Sequence, residues 1–141
     1  MSVKWEGLRE FETELRQMPD RLADQCEDPV GDATAAAAAQ LIQAYPEGDT
    51  GNLRKGVRTR IKRTPGTVTG EVRSTSPHSH LWEYGTVNRE TRRGWQRGRM
   101  KSAKERSLER LGSIAARTRR AMNTRIEDFL RRAGFELSGD V

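Results

Sequence analysis

Apolar side chains return at Leu8, Phe11, Leu15 and Met18, a spacing of +3, +4 and +3 that predicts one face of a short amphipathic helix. Glu10, Glu12, Glu14 and Arg16 occupy the other face. Pro19, which has no N–H to donate, predicts its end. A second helical stretch is expected from near Asp20, interrupted at Pro29. Asp28 followed by Pro29 matches an N-cap with proline at the first helical position. Residues 33–39 are alanine apart from Thr34, which joins high helix propensity to very little bulk. A helix of this kind can lie close against a sheet or a partner helix. Tyr45-Pro46 closes it.

Beyond the polar stretch 47–52 the period changes to two. Val57, Thr59 and Ile61 alternate with Arg58, Arg60 and Lys62, predicting a half-buried strand with one basic face. Thr64-Pro65-Gly66 carries turn chemistry, with proline at i+1 and glycine at i+2. Val68 and Val72 continue on a second strand, where Gly70 is a candidate bulge. Residues 76–100 show no period and are punctuated by Gly85, Gly94 and Gly98. They predict a short element at 81–84 and an extended basic arm over about 87–101. From about 102 a helical period returns through Leu108, Leu111, Ile114, Thr118, Met122, Ile126 and Phe129, with Gly134 placed as its stop. A helix over about 102–133 would be roughly 48 Å long. The expected class is α+β, in one domain spanning 1–141: N-terminal helices, a small antiparallel sheet built on a β-hairpin, the arm and a long C-terminal helix. Part of so long a rod is expected to meet another chain.

Composition sharpens that expectation. Leu, Ile, Val and Phe together make up about 17% of the 141 residues, below the roughly 20% at which disorder becomes a live alternative. Net charge is only +6, so the chain reads as a folded domain with a lean core, for which self-association is an added source of stability. The charge is divided unevenly: net −7 over 1–53, +10 over 54–101 and +3 over 102–141. An acidic first third and a basic middle suit head-to-tail contact between copies or binding to a polyanion. No run of 18 apolar residues predicts a membrane span, and the charged N-terminus lacks the apolar core of a signal peptide. Cys26 is the sole cysteine, which excludes an intrachain disulfide and points to a reducing compartment.

Catalytic signatures are missing. His78 and His80 would need at least one further ligand to hold a metal. Ser76, Ser79, His78 and Glu83 are close in sequence, which is no indication of triad geometry, and Cys26 has no nucleophile's signature. Gly48, Gly51 and Gly56 fit no nucleotide-binding pattern. No enzyme, metal or cofactor is expected. The basic residues say more. Arg54, Lys55, Arg58, Arg60, Lys62, Arg63 and Arg73 lie on or beside the hairpin. Arg89, Arg92, Arg93, Arg97, Arg99 and Lys101 fill the arm around Trp95. Arginines interleaved with an aromatic would suit nucleic acid through phosphate neutralisation and stacking, or an acidic protein surface. Of the tryptophans, Trp82 is expected in the core, Trp5 at the start of the first helix, and Trp95 free for an interface.

Residues 45–57, YPEGDTGNLRKGV, resemble the "aP…TGnLr.si" signature of a tail-component family of long-tailed phages that includes the minor tail protein Z of lambda. About 25 residues on, residues 80–86, HLWEYGT, resemble that family's "YA..vEyGT" block. Gly7, Phe11, Leu15 and Pro19 fit its opening pattern. Tyr45 stands where the family often has alanine, and residues 100–103 only partly match a "Pf..pA" stretch before the last helix. The resemblance implies a structural virion protein, assembled in the host cytoplasm, that completes the tail or joins it to the head. It implies a ring, with six copies expected, contacting neighbouring neck and tail proteins while DNA passes through the channel without sequence-specific binding. Pro46, Thr50, Gly51 and Leu53 would form the lead-in to the hairpin, and Glu83, Gly85 and Thr86 the corner from which the arm leaves. Arg89, Arg92, Arg93, Trp95, Arg97 and Arg99 would then contact a neighbouring subunit. The alternative is a nucleic-acid-binding protein using the basic hairpin and arm.

Overall fold

The computed structural model describes residues 8–96 and 98–135. Its elements are α1 (Leu8–Ala44), α2 (Asn52–Lys55), β1 (Val57–Thr64), β2 (Thr67–Ser74), α3 (Ser79–Tyr84) and α4 (Leu111–Arg132). The class is α+β, as the periodicities predict. Trp5, Arg97 and the side chains of Leu8, Phe11 and Leu15 lie outside what is described.

Helix breaks were expected at Pro19 and at Pro29, and the structure has neither. α1 runs unbroken for 37 residues, with Pro19 and Pro29 inside it and Asp28 therefore no cap. Each proline removes a ladder hydrogen bond and crowds the carbonyl four residues back, a penalty of about 3 kcal/mol in a helix left to itself. α1 is not left to itself, because the hairpin lies along it as a splint. The Gly66 N–H donates to Asp20 Oδ1 at 2.8 Å, and Arg63 pairs with Asp24 and with Glu27 at 3.1 Å. Val30 and Thr34 pack against Gly70. Anchors thus stand on both sides of Pro29 and immediately after Pro19.

β1 and β2 pair antiparallel from Val57↔Ser74 to Thr64↔Thr67. Pro65 and Gly66 form the two-residue connection, and Gly66 has the positive φ (+70°) that a type II turn requires at that position. Gly70 is not a bulge, since the register is continuous through Ile61↔Gly70. Its lack of a side chain serves the packing: a Cβ there would stand 1.9 Å from Thr34 Oγ1 and 3.1 Å from Val30 Cγ1. Glycine lets the strand seat directly on the small-residue face of α1.

The core gathers where α1, the hairpin, α3 and α4 converge. Ala37, Ala38, Leu41, Tyr45, Val57, Trp82, Ala103 and Ile114 are buried, with Leu53, Val72, Met100 and Leu111 packed around them. Tyr45 and Trp82 meet edge to face at 6.5 Å, and the Arg106 guanidinium lies 3.8 Å from the centre of the Trp82 ring. Burial pushes the Tyr45 phenol above its ordinary range, assisted by the Glu83 charge and opposed by a hydrogen bond with Ser74, so it stays neutral.

The last helix is shorter than its period suggests. Ser102 and Glu105 do form a capping box: the Ser102 N–H donates to Glu105 Oε2 at 2.7 Å and the Glu105 N–H to Ser102 Oγ at 3.2 Å. One turn follows, and Ser107 then adopts a left-handed φ of +54° and stops it. The chain restarts as α4 at Leu111, whose N–H is accepted by Glu83 Oε1 at 2.9 Å. At the other end Gly134 acts as the predicted stop. At φ +89° it donates to Arg131 O at 3.1 Å, while the Phe135 N–H donates to Leu130 O at 3.0 Å. That pair of bonds is a Schellman motif. Only Ile114 and Thr118 of α4 are buried, so this helix is far from wrapped by its own chain.

Candidate functional site

The glycine-rich lead-in works through backbone geometry. Gly51, at φ +61°, starts the single turn of α2. Arg54 Nε donates back to Tyr45 O at 2.8 Å, and Lys55 Nζ to Thr50 O at 3.2 Å. The Gly56 carbonyl accepts the Thr75 N–H at 2.8 Å, tying the open end of the hairpin shut. Pro46 and Thr50 are exposed on the intervening loop, whereas Leu53 packs against the core.

The second motif builds a corner that fixes three segments at once. Trp82 is buried from α3, and its carbonyl accepts the Ala103 N–H at 3.0 Å. Glu83 caps α4. Gly85 turns the chain at φ +73°, and Thr86 and Met100 exchange hydrogen bonds of 2.9 and 3.0 Å across the arm's base. Removing the cap with Glu83→Ala should lower stability by about 1 kcal/mol, read as a fall in chemical-denaturation midpoint with an unchanged slope.

Between those two bonds the arm folds back on itself instead of trailing away. A second bridge joins Glu90 to Gln96, and the Thr91 N–H donates to Trp95 O at 3.0 Å. The six positions expected to contact a neighbour therefore divide. Arg89 braces the arm from inside, with Nε donating to Gly98 O at 3.4 Å. Arg99 pairs with Glu105. Arg92, Arg93 and Trp95 crown the tip, with Trp95 73% exposed; Val87 and Tyr84, each 79% exposed, extend apolar surface back to the corner.

Glu105 went unrecognised in the sequence, although Ser102-Ala103-Lys104-Glu105 carries the S-x-x-E capping signature. The backbone and hydroxyl donors of Ser102, then Arg99 and Lys101, hold its carboxyl below the usual carboxylate range. A depressed carboxylate stabilises the loop above its unfolded pKa, and that stabilisation is lost as pH falls through the folded value. The Ser102 amide should therefore lose hydrogen-exchange protection on acidification below the ordinary glutamate range. Glu105→Gln should flatten that dependence.

A small part of the sequence's charge division is consumed within the chain. Acidic α1 meets basic β1 through Arg63, and meets α4 through Arg125–Asp32 at 3.1 Å. Farther along the α1 face of the sheet the packing is open. A groove of about 470 Å³ runs between α1, β2 and α4, lined by Val30, Ala37, Val68, Val72, Ala115 and Met122 among others. It borders the edge of β2 that β1 leaves open.

Among the described residues no group of three His, Cys, Asp or Glu side chains gathers to hold a metal, and no helix is long and apolar enough to cross a membrane. His78 and His80 are exposed at α3, Cys26 is half-buried in α1, and Ser76 spends its carbonyl on Ser79. What this geometry defines is a scaffold: two glycine-built corners holding a hairpin and a projecting arm, with open edges around them. Residues 9–85 match the family model described as "Bacteriophage HK97-gp10, putative tail-component", and the chain belongs to that phage tail-component family. The match takes in the lead-in and the corner up to Gly85. No curated protein and no solved structure matches the chain.

Proposed function

We propose that this tail component is a non-catalytic ring protein of the head–tail junction, which completes the tail or joins it to the head. Six copies are the number we propose, enclosing a channel through which DNA passes and touching neighbouring neck and tail proteins. The observation that carries the reading is an excess of surface. The chain exposes 11304 Å². A compact 16.0 kDa monomer would expose about 7,400 Å². The excess is larger than the roughly 2,300 Å² that the fourteen residues outside the description could expose at most. A two-stranded sheet with open edges, an apolar groove and a tryptophan-tipped arm fit a subunit that finishes its burial against copies of itself.

The arm is the proposed bridge, through Arg92, Arg93 and Trp95, and by its place in the sequence Arg97, with Arg89 and Arg99 keeping its shape. Replacing residues 88–98 with a short glycine linker leaves the core side chains in place. Circular dichroism and the melting temperature should therefore change little, while light scattering should show the oligomer reduced to monomer. An arm-deleted protein that still assembles would remove the bridging role.

A further inference from the structure

The two faces of the hairpin differ in a way that the assembly reading leaves unexplained. Cross-strand partners share a face. Val57, Ile61, Arg63, Val68, Gly70 and Val72 form the face turned to α1. The other face carries Arg58, Arg60, Lys62 and Thr64 on β1, opposite Arg73, Glu71, Thr69 and Thr67 on β2. All eight are exposed. Among the described residues none of the four cations has an ion-pair partner: Arg58 Nη1 donates only to the carbonyls of Lys55 and Val57, and Glu71 forms no bridge with Arg60 across from it. The register also sets Arg58 directly against Arg73, a like-charge pair that weakens a sheet.

We propose that this face binds the phosphate backbone of duplex nucleic acid without regard to sequence. Its composition selects that partner over an acidic protein. Protein interfaces need an apolar or aromatic centre to bury, and this face has none. A phosphodiester backbone asks only for positive charge and for hydroxyl or N–H donors, which the arginines, the lysine and the three threonines supply. Duplex is favoured over single strands because the face offers no aromatic ring for a base to stack on; Trp95 lies on the arm. An anion on the strip would also relieve the repulsion between Arg58 and Arg73. The proposal does not depend on ring formation, since the whole strip lies within one hairpin.

The test is fluorescence anisotropy of the full-length chain with a labelled 20-base-pair duplex and a single strand of equal length, titrated over a salt series. Four phosphate contacts predict a slope of about −3.6 in log affinity against log salt, a loss of about 150-fold between 50 and 200 mM. The variant Arg58→Gln/Arg60→Gln/Lys62→Gln/Arg73→Gln should lose at least tenfold in duplex affinity with most of that slope, and melt no lower than the parent. Glu71→Gln should bind severalfold tighter, an outcome that guards against a folding artefact. The proposal is overturned if the parent ignores duplex at 50 mM salt, or if the fourfold variant binds as well as the parent. Preference for the single strand that vanishes in Trp95→Ala overturns it as well, moving the contact to the arm. Light scattering on the same samples separates this result from the ring reading: monomers that bind duplex sustain the proposal and remove the ring.

Discussion

Gly70→Ala should cost the fold about 2–3 kcal/mol, large for one methyl group on an exposed hairpin. The new Cβ would stand 1.9 Å from Thr34 Oγ1, far inside any contact distance. Thr34 cannot swing away freely, because its hydroxyl donates to Val30 O at 2.7 Å and the side chain is buried. The strand must lift from α1, or the helix must give, next to Pro29 where its own hydrogen bonding is already weakened. Since the nearest obstacle is one side-chain oxygen, trimming it should help. Thr34→Ala with Gly70→Ala should recover more than half the loss, leaving approaches of 3.1 Å to Val30 Cγ1 and 3.3 Å to the Cβ of residue 34. A double-mutant cycle from urea titrations measures that coupling, which should reach 1 kcal/mol or more. Strictly additive losses would show that the contact with Thr34 is not what requires glycine at this position.

That single glycine shows how far the pattern of residues could be read. The alanine run on α1 announces a close approach, and an isolated glycine in a strand announces something unusual, but only the register shows that the two are one feature. Sequence alone made the glycine a bulge. The prolines misled for a related reason. Local chemistry at Pro19 and Pro29 argues for helix ends, and the contacts that hold the helix through them come from Gly66, Arg63 and Gly70, some 36 to 46 residues away. Where the determinants are local, the reading survived: Gly134 ends α4, Pro65-Gly66 turns the hairpin, and Trp82 is buried. At 102–110 two local signals compete. The helical period and the Ser102–Glu105 box start a turn, and Ser107 ends it, though no propensity marks serine as a left-handed residue. The arm's basic content is legible in the sequence, yet its closure by Thr86 and Met100 needed the fold.

Gly85→Ala should be the more damaging of the two glycine changes, because nothing near it can be trimmed. At φ +73° and ψ −172°, a region almost reserved for glycine, an L-residue is strained from the outset, by roughly 1–3 kcal/mol. Its Cβ would then press on Met100 O at 2.5 Å and on the Ser102 N at 2.7 Å, both backbone atoms. With overpacking of a further 1–3 kcal/mol, the least costly escape is to break the Thr86–Met100 pair and open the base of the arm. Opening would not stop there. Ala103 is tied to the Trp82 carbonyl, Arg106 is stacked on the Trp82 ring, and Glu83 caps α4 from the same corner. Hydrogen exchange should therefore show lost protection at the amides of Thr86, Met100, Ala103 and Leu111, while those of β1 and β2 keep theirs. If the arm bridges subunits, the same variant should lose its oligomer without unfolding, which separates the corner's role in shaping the arm from any role in the core. Unchanged protection at Thr86 and Met100 would mean that the chain can turn here with a side chain in place, and that the glycine of this motif has another purpose.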